Sequence, residues 1–223
     1  MKADLVFTDP PYGVAIGDKN KMLDSFSKAG RVTKNIEGDT LNAEDLHDML
    51  VKAFTNLREN CAEHCSYYVT APQGGEIGLM MMMMMKEAGL EVRHNLIWEK
   101  SSATFSMGRL DYDYKHETIF YTWTKKHNFY GKGTCKDTVW KFNKPRHCDL
   151  HPTMKPIELV GECLLNSSQK GDIVADIFGG SGTTLIASEQ LGRKCYMMEK
   201  DPHYVDVIVK RWEDLTGKKA VRE

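Results

Sequence analysis

Asp172-Ile-Val-Ala-Asp-Ile-Phe-Gly-Gly-Ser-Gly-Thr183 is the stretch that decides the fold. Asp172 to Ile177 is a short apolar run, the length of a buried strand and too short for a helix. Phe178 to Thr183 is a glycine loop, in which Gly179, Gly180 and Gly182 let the backbone approach a neighbour or ligand without a Cβ clash. A helix follows to about Leu191, and Lys194 to Met198 reads as the next strand, ending at Glu199. Pro202 to Leu215 reads as another helix, with proline in its first turn. Strand, helix, strand and helix in this order specify an α/β domain, with a mostly parallel sheet covered on both faces.

The same alternation extends toward the N-terminus. Ala3 to Thr8 is a buried strand stopped by Asp9-Pro10-Pro11. Gly13 to Gly38 reads as a long polar loop. Asn42 caps a helix running to about Asn60, with Leu46, Leu50, Phe54 and Leu57 on one face. Ser66 to Thr70, Glu91 to Trp98 and His116 to Trp123 are further strands. Gly75 to Ala88 is a helix ended by Gly89, and its methionine run, Met80 to Met85, suits adaptable packing. Pro156 to Leu165 is the helix before the glycine loop. With no internal repeat, residues 1–223 read as one domain. Its catalytic half covers about 1–124, a short basic insert about 125–150, and a cofactor half about 151–216.

Bulk composition narrows the function. Hydrophobic residues are 41% of the chain and charged residues 27%, so a packed core is expected. No apolar run approaches the roughly 20 residues that span a bilayer, and no secretory leader is visible, so a cytoplasmic location is expected. The six cysteines are scattered. Neither Cys61, His64 and Cys65 nor Cys135, His147, Cys148 and His151 has the paired spacing of a zinc ribbon, and no metal is expected. Net charge is −1, yet Arg93 to Lys155 carries 12 Lys+Arg against 6 Asp+Glu, a net of +6 beside −7 for the rest. That asymmetry suits a phosphate-facing surface. Its candidate contacts are Arg109, Lys115, Lys125, Lys126, Lys132, Lys141, Lys144 and Arg146.

Two constellations carry chemistry. Open parallel sheets bind ligands at the carboxyl ends of their strands. There the glycine loop follows Asp176, and Glu199 ends the next strand, placed to accept hydrogen bonds from ribose hydroxyls. Phe-Gly-Gly-Ser-Gly is not the dinucleotide Gly-x-Gly-x-x-Gly pattern, so a nucleoside cofactor and a tight packing turn both remain open. The second constellation is Asp9-Pro10-Pro11-Tyr12 at the end of the first strand. Its prolines have no amide hydrogen. The site therefore offers acceptors, the Asp9 carboxylate and the Pro10 carbonyl, beside the aromatic face of Tyr12. An exocyclic amine on a nucleobase has the two hydrogens and the flat ring that fit.

These residues resemble the amino-methyltransferases of DNA. Asp9-Pro10-Pro11-Tyr12 resembles the family's catalytic motif, and Phe178 to Thr183 its cofactor loop. His151-Pro-Thr-Met-Lys-Pro156 resembles the segment lining the cofactor's methionine end, and Lys115-His116-Glu117 an element near the target base. Catalytic motif first and cofactor loop last is the family's circularly permuted beta order. The resemblance implies a Rossmann-like methyltransferase fold with S-adenosyl-L-methionine as cofactor. It also implies base flipping and direct transfer to the N6 amine of adenine in DNA, in a restriction-modification or prophage-like setting. By the same resemblance Thr153, Lys155, Asp176, Phe178, Gly179, Gly180, Ser181, Gly182, Thr183 and Glu199 hold the cofactor.

Two departures from the family's pattern set further expectations. Only Met1 and Lys2 precede the catalytic strand, so the sheet is expected to lack the edge strand beside the Glu199 strand, with an N-terminal domain or partner subunit missing. The stretch from Thr124 to Leu150 leaves little room for a separate recognition domain. Rival readings are an N4-cytosine methyltransferase, whose members often carry Ser in place of Asp9, and a non-catalytic DNA- or partner-binding module. RNA is a further possible substrate. Methylation of a protein amide disagrees in both residue and motif order.

Overall fold

The computed structural model describes residues 2–12, 42–73, 75–103, 111–131, 136–143 and 154–222. Seven strands form one sheet: β1 (Ala3–Thr8), β2 (Cys61–Ala71), β3 (His94–Glu99), β4 (His116–Trp123), β5 (Val139–Lys141), β6 (Ile173–Asp176) and β7 (Lys194–Met197). The helices are α1 (Ala43–Asn60), α2 (Gly75–Glu87), α3 (Ile157–Ser167), α4 (Thr183–Leu191) and α5 (Pro202–Thr216). The spatial order is β5-β3-β4-β2-β1-β6-β7. The expected Gly13 to Gly38 loop and the group Cys135, His147, Cys148 and His151 lie outside the described residues.

β1 sits centrally, and alternation along it divides the core. Val6 turns toward α1 and α2, packing with Leu50, Phe54, Met81, Met84 and Met85. Leu5 and Phe7 turn to the other face, against Leu159, Val160, Cys163 and Leu164 of α3. A strand buried on both faces reads as a continuous apolar run, which is why Ala3 to Thr8 was recognisable without a period-two pattern. The methionine run divides the same way, with Met81, Met84 and Met85 buried and Met83 exposed.

The element boundaries follow local chemistry. The Asn42 side chain accepts the Asp45 amide at 2.8 Å and starts α1 where expected. At the end of α2, Gly89 takes φ +81°, and the amides of Gly89 and Leu90 return to Lys86 and Met85. This left-handed turn delays β3 to His94, its first partner on β4, rather than the expected Glu91. β2 is longer than expected, because a register shift lets Cys61 pair with Ala3 while Ser66 pairs with Leu5. Its polar His64 and Glu63 hid that first part.

The expectation of a mostly parallel sheet stands with one local exception. β1 pairs in parallel with β2 and β6, but β4 is antiparallel to both β2 and β3. β5 was not expected at all; it is a three-residue strand parallel to β3. β7 pairs only with β6 among the described residues and forms the sheet edge on that side, where Tyr196 and Met198 are exposed.

Candidate active site

The pairing directions bring the carboxyl ends of β1, β2, β3, β6 and β7 and the amino end of β4 to one edge of the sheet. Asp9 leaves β1 there. Thr8 pairs with Val69, so Asp9 emerges beside Thr70. The Asp9 Oδ1 atom accepts the Tyr12 hydroxyl at 3.0 Å and also the Thr70 hydroxyl, while Tyr12 additionally bonds Thr70 at 2.9 Å. Asp9 Oδ2 accepts the Lys155 ammonium at 2.5 Å. A carboxylate has about four acceptor positions, two on each oxygen. Three are filled from the described residues, which leaves one on Oδ2. Pro10 is buried and Pro11 half-buried, so the chain leaves β1 on a rigid, donor-free corner.

Behind Asp9 lies a run of alternating charges. Lys155 Nζ is 3.4 Å from Glu117 Oε2, and Lys100 Nζ is 2.8 Å from Glu117 Oε1. The side chains of Lys100 and Lys155 are 8% and 7% exposed, so both cations are desolvated. Burial pulls the Lys155 ammonium down, but Asp9 and Glu117 outweigh it and hold it above the ordinary lysine range. Burial, and then the charges of Asp9 and Glu117, push the Tyr12 phenol well up, so it stays a neutral donor. The resemblance put Lys155 at the cofactor's amino-acid end; in the structure its ammonium is committed to Asp9 and Glu117.

The glycine loop lies beside this corner. Gly180 has φ +52° and Gly182 φ +79°, conformations that suit glycine. A Cβ on Gly179 would stand 2.7 Å from Met197 Cγ and Sδ. The Gly179 amide bonds Met198 O at 2.8 Å, holding the loop against β7. Glu199 accepts the Gly180 amide at 2.7 Å and the Asp201 amide at 2.8 Å, one on each oxygen. Two further acceptor positions remain by valence, the number a vicinal diol needs. Thr183 donates to Lys155 O at 3.4 Å and faces the Ser181 hydroxyl at the same distance, tying the loop to the segment that carries Lys155. Phe178 is half-buried beside them.

Asp176 is placed differently from the expected cofactor contact. It is 3% exposed and turned inward, accepting Thr8 at 3.0 Å, the Phe178 amide at 3.1 Å and Thr184 at 2.6 Å. It therefore joins the residue before Asp9 to the glycine loop. Burial pushes its carboxyl up to about 6, against the pull of these three hydrogen bonds. In an unfolded chain it titrates at about 3.9. The folded state thus keeps the proton longer, and the stability this group contributes is complete below about pH 4 and lost as pH rises through about 6. Between about pH 4.5 and 7.5 the wild type should lose roughly 2 kcal/mol relative to Asp176→Asn. Urea unfolding of both proteins at the two pH values measures this, and a constant gap would show Asp176 ionised throughout.

The expected basic surface is divided. Lys115 and Lys141 meet at the site edge, paired with Glu99 at 2.9 and 3.3 Å. Lys125 instead pairs with Glu63 at 2.6 Å, with Lys126 next to it, at the opposite end of β2 and β4. That end is about 20 Å along β2 from Thr70 at the strand rise. The two lysines do not share the edge that carries Asp9, because β4 runs antiparallel and takes its C-terminus away from the site. Arg109, Lys132, Lys144, Arg146 and Thr153 lie outside the described residues. The site also contains Thr70 and Lys100, which the sequence reading missed. Thr70 needed the β1–β2 register, and Lys100 needed β3 and β4 placed side by side.

Comparison with known proteins agrees with this geometry. The family model described as DNA methylase, for N6 and N4 methyltransferases, matches residues 3–210. The chain is 24% identical to the type II methyltransferase M2.MboI of Moraxella bovis, over 96% of this chain and 81% of that protein. Among solved structures, the PvuII DNA methyltransferase, cytosine-N4-specific, superposes with a TM-score of 0.72 at 17% identity, covering 95% of this chain and 79% of its own. A DNA modification methylase from Thermus thermophilus, solved with S-adenosyl-L-methionine, has a TM-score of 0.66 at 18% identity, covering 100% of this chain and 92% of its own.

Proposed function

The chain belongs to the DNA methylase family whose model spans residues 3–210, and from that premise we propose that it methylates the N6 amine of adenine in DNA with S-adenosyl-L-methionine. The observation that carries this reading is the open acceptor position on Asp9 Oδ2, beside the Pro10 carbonyl and at the same sheet edge as the glycine loop.

The residues present fit the cofactor. A side chain at Gly179 would collide with Met197, so the loop backbone stays bare. Glu199 keeps two acceptor positions for ribose hydroxyls, and Gly179 to Thr183 with Phe178 form the wall beside it. When bound, S-adenosyl-L-methionine supplies an electrophilic methyl group on a sulfonium. Asp9 Oδ2 and the Pro10 carbonyl take the two hydrogens of the target amine, which draws the nitrogen lone pair out of ring conjugation. Oδ2 is also the acceptor for the proton that the alkylated amine sheds. Tyr12, pinned through its hydroxyl by Asp9 and Thr70, offers its ring to the base. Lys155 stays protonated and acts as a fixed charge rather than as a base. Catalysis of this kind is mainly positioning and electrostatics, and an adenine reaches such a corner only when flipped out of the duplex.

DNA is the partner in this reading, with Lys115 and Lys141 on the phosphate side of the site. Among the described residues no helix is long and apolar enough to cross a membrane. A cytoplasmic location and the division into a catalytic half near 1–124 and a cofactor half near 151–216 belong to the same proposal. The test is incubation with tritiated S-adenosyl-L-methionine and mixed-sequence duplex DNA, followed by digestion to nucleosides. Label in N6-methyladenine is expected. Label in N4-methylcytosine would keep the mechanism and replace the base, and label in neither would overturn the reading.

A further inference from the structure

We propose that Lys100, acting through Glu117 and Lys155, is a positioning residue that keeps the Lys155 ammonium on Asp9 during methyl transfer. The inference rests on the reading of Asp9 as acceptor of the target amine. The geometry is a row of four charges, Lys100, Glu117, Lys155 and Asp9, with contacts of 2.8, 3.4 and 2.5 Å. Lys155 thus sits between two carboxylates and is closer to Asp9.

Lys100 is held for this purpose from several sides. Its backbone amide bonds Lys115 O at 2.8 Å, fixing it against the residue two before Glu117. Its ammonium lies 5.6 Å from the centre of the buried Trp98 ring, and the Trp98 indole is anchored on Phe142 O at 2.8 Å. A lysine ammonium buried to this degree is costly to desolvate unless paired. Here the pairing satisfies Glu117 on Oε1, on the side away from Lys155.

Charge competition gives that pairing its consequence. Two carboxylates on one ammonium share it according to their unsatisfied charge. With Lys100 in place, Glu117 is neutralised and Lys155 leans to Asp9. Without Lys100, Glu117 loses the nearer of its two lysines and draws Lys155 from Asp9. Asp9 then loses the contact that fills one Oδ2 position and orients the other. A misplacement of this size at a reacting group costs rate rather than cofactor binding. The cofactor loop makes its own contacts, to Glu199 and Met198, and is not part of the row.

The experiment compares Lys100→Met, Lys100→Arg and the double variant Lys100→Met/Glu117→Gln, each with thermal melting, calorimetric titration of S-adenosyl-L-methionine, and turnover on DNA. For Lys100→Met, kcat should fall about tenfold to a hundredfold with cofactor affinity within about twofold. Lys100→Arg should recover most of the loss by restoring the charge. The double variant should turn over faster than Lys100→Met, because a neutral amide in place of the Glu117 carboxylate no longer competes for Lys155. Wild-type turnover in Lys100→Met, or a double variant no faster than the single one, would overturn the proposal. If Lys100→Met does not fold, the Lys100→Arg and double variants decide, since both remove the unpaired charge: turnover within a few-fold of wild type supports it and loss in either sinks it. Asp9→Ala run in parallel separates the two readings. An active Asp9→Ala removes the acceptor reading itself, whereas an inactive one beside a normal Lys100→Met removes only the role of Lys100.

Discussion

Asp9→Ala will lower methyl transfer by roughly a thousandfold or more and leave S-adenosyl-L-methionine affinity within about threefold of the wild type. The first half follows from what the carboxylate does. It supplies an acceptor for the target amine, and the Pro10 carbonyl cannot take both hydrogens in the geometry that frees the nitrogen lone pair. It also organises its surroundings, because Tyr12, Thr70 and Lys155 all bond to it. Without it the Tyr12 hydroxyl keeps only Thr70 among these contacts, and Lys155 keeps Glu117 at 3.4 Å. The second half follows from the separate footing of the loop, whose amides bond Glu199 and Met198 rather than Asp9. Single-turnover assays with calorimetry check both halves. Near-normal turnover would remove Asp9 from the mechanism, and a matching loss of cofactor affinity would mean that Asp9 belongs to the cofactor site. Asp9→Asn retains one acceptor but turns an amide donor toward Lys155 or the two hydroxyls, and a loss of about a hundredfold is expected.

The sequence was most readable where one local rule settles an element alone. Asn42 and the Leu46, Leu50, Phe54, Leu57 spacing determine α1 without reference to the rest of the molecule. Asp172 to Thr183 is equally self-contained, since an apolar strand followed by closely spaced glycines has few alternatives. β5 is short, and its exposed Val139 and Lys141 give no burial signal. The site was readable in proportion to how much of it lies in one segment. Asp9 to Tyr12 and Phe178 to Thr183 are contiguous, but Thr70, Lys100 and Glu117 come together only through pairing across β1, β2, β3 and β4. Glu117 was approached through its motif, and Thr70 and Lys100 had none. The lysines failed for the same reason: charge density along the chain does not say to which end of a sheet an antiparallel strand returns, and so Lys115 and Lys125 looked alike.

Gly182→Val should destabilise the protein by about 3–5 kcal/mol and abolish measurable cofactor binding before the fold is lost. Two effects add. Gly182 has φ +79°, which a β-branched side chain resists by about 1–3 kcal/mol. A Cβ there would also lie 2.9 Å from Ile208 Cγ1 and 3.2 Å from Cγ2, and overpacking of this kind costs about 1–3 kcal/mol more. Relief by backbone movement would break the loop, because the Gly182 amide bonds Gly179 O at 2.8 Å and its carbonyl accepts the Ile186 amide at 3.1 Å. The same residue thus closes the glycine turn and opens α4. Ile208→Ala added to Gly182→Val should restore stability in part, since it removes the collision and leaves the strain. Gly217→Ala isolates the strain, with φ +69° and no atom within 4 Å of the new Cβ, and should cost only about 1–2 kcal/mol. Urea unfolding and calorimetric titration of the set separate the two causes. If Gly182→Val matched Gly217→Ala in stability and still bound cofactor, the close packing of α5 on the loop would have no part in the site. Full recovery with Ile208→Ala would instead assign the whole cost to that contact and none to the left-handed turn.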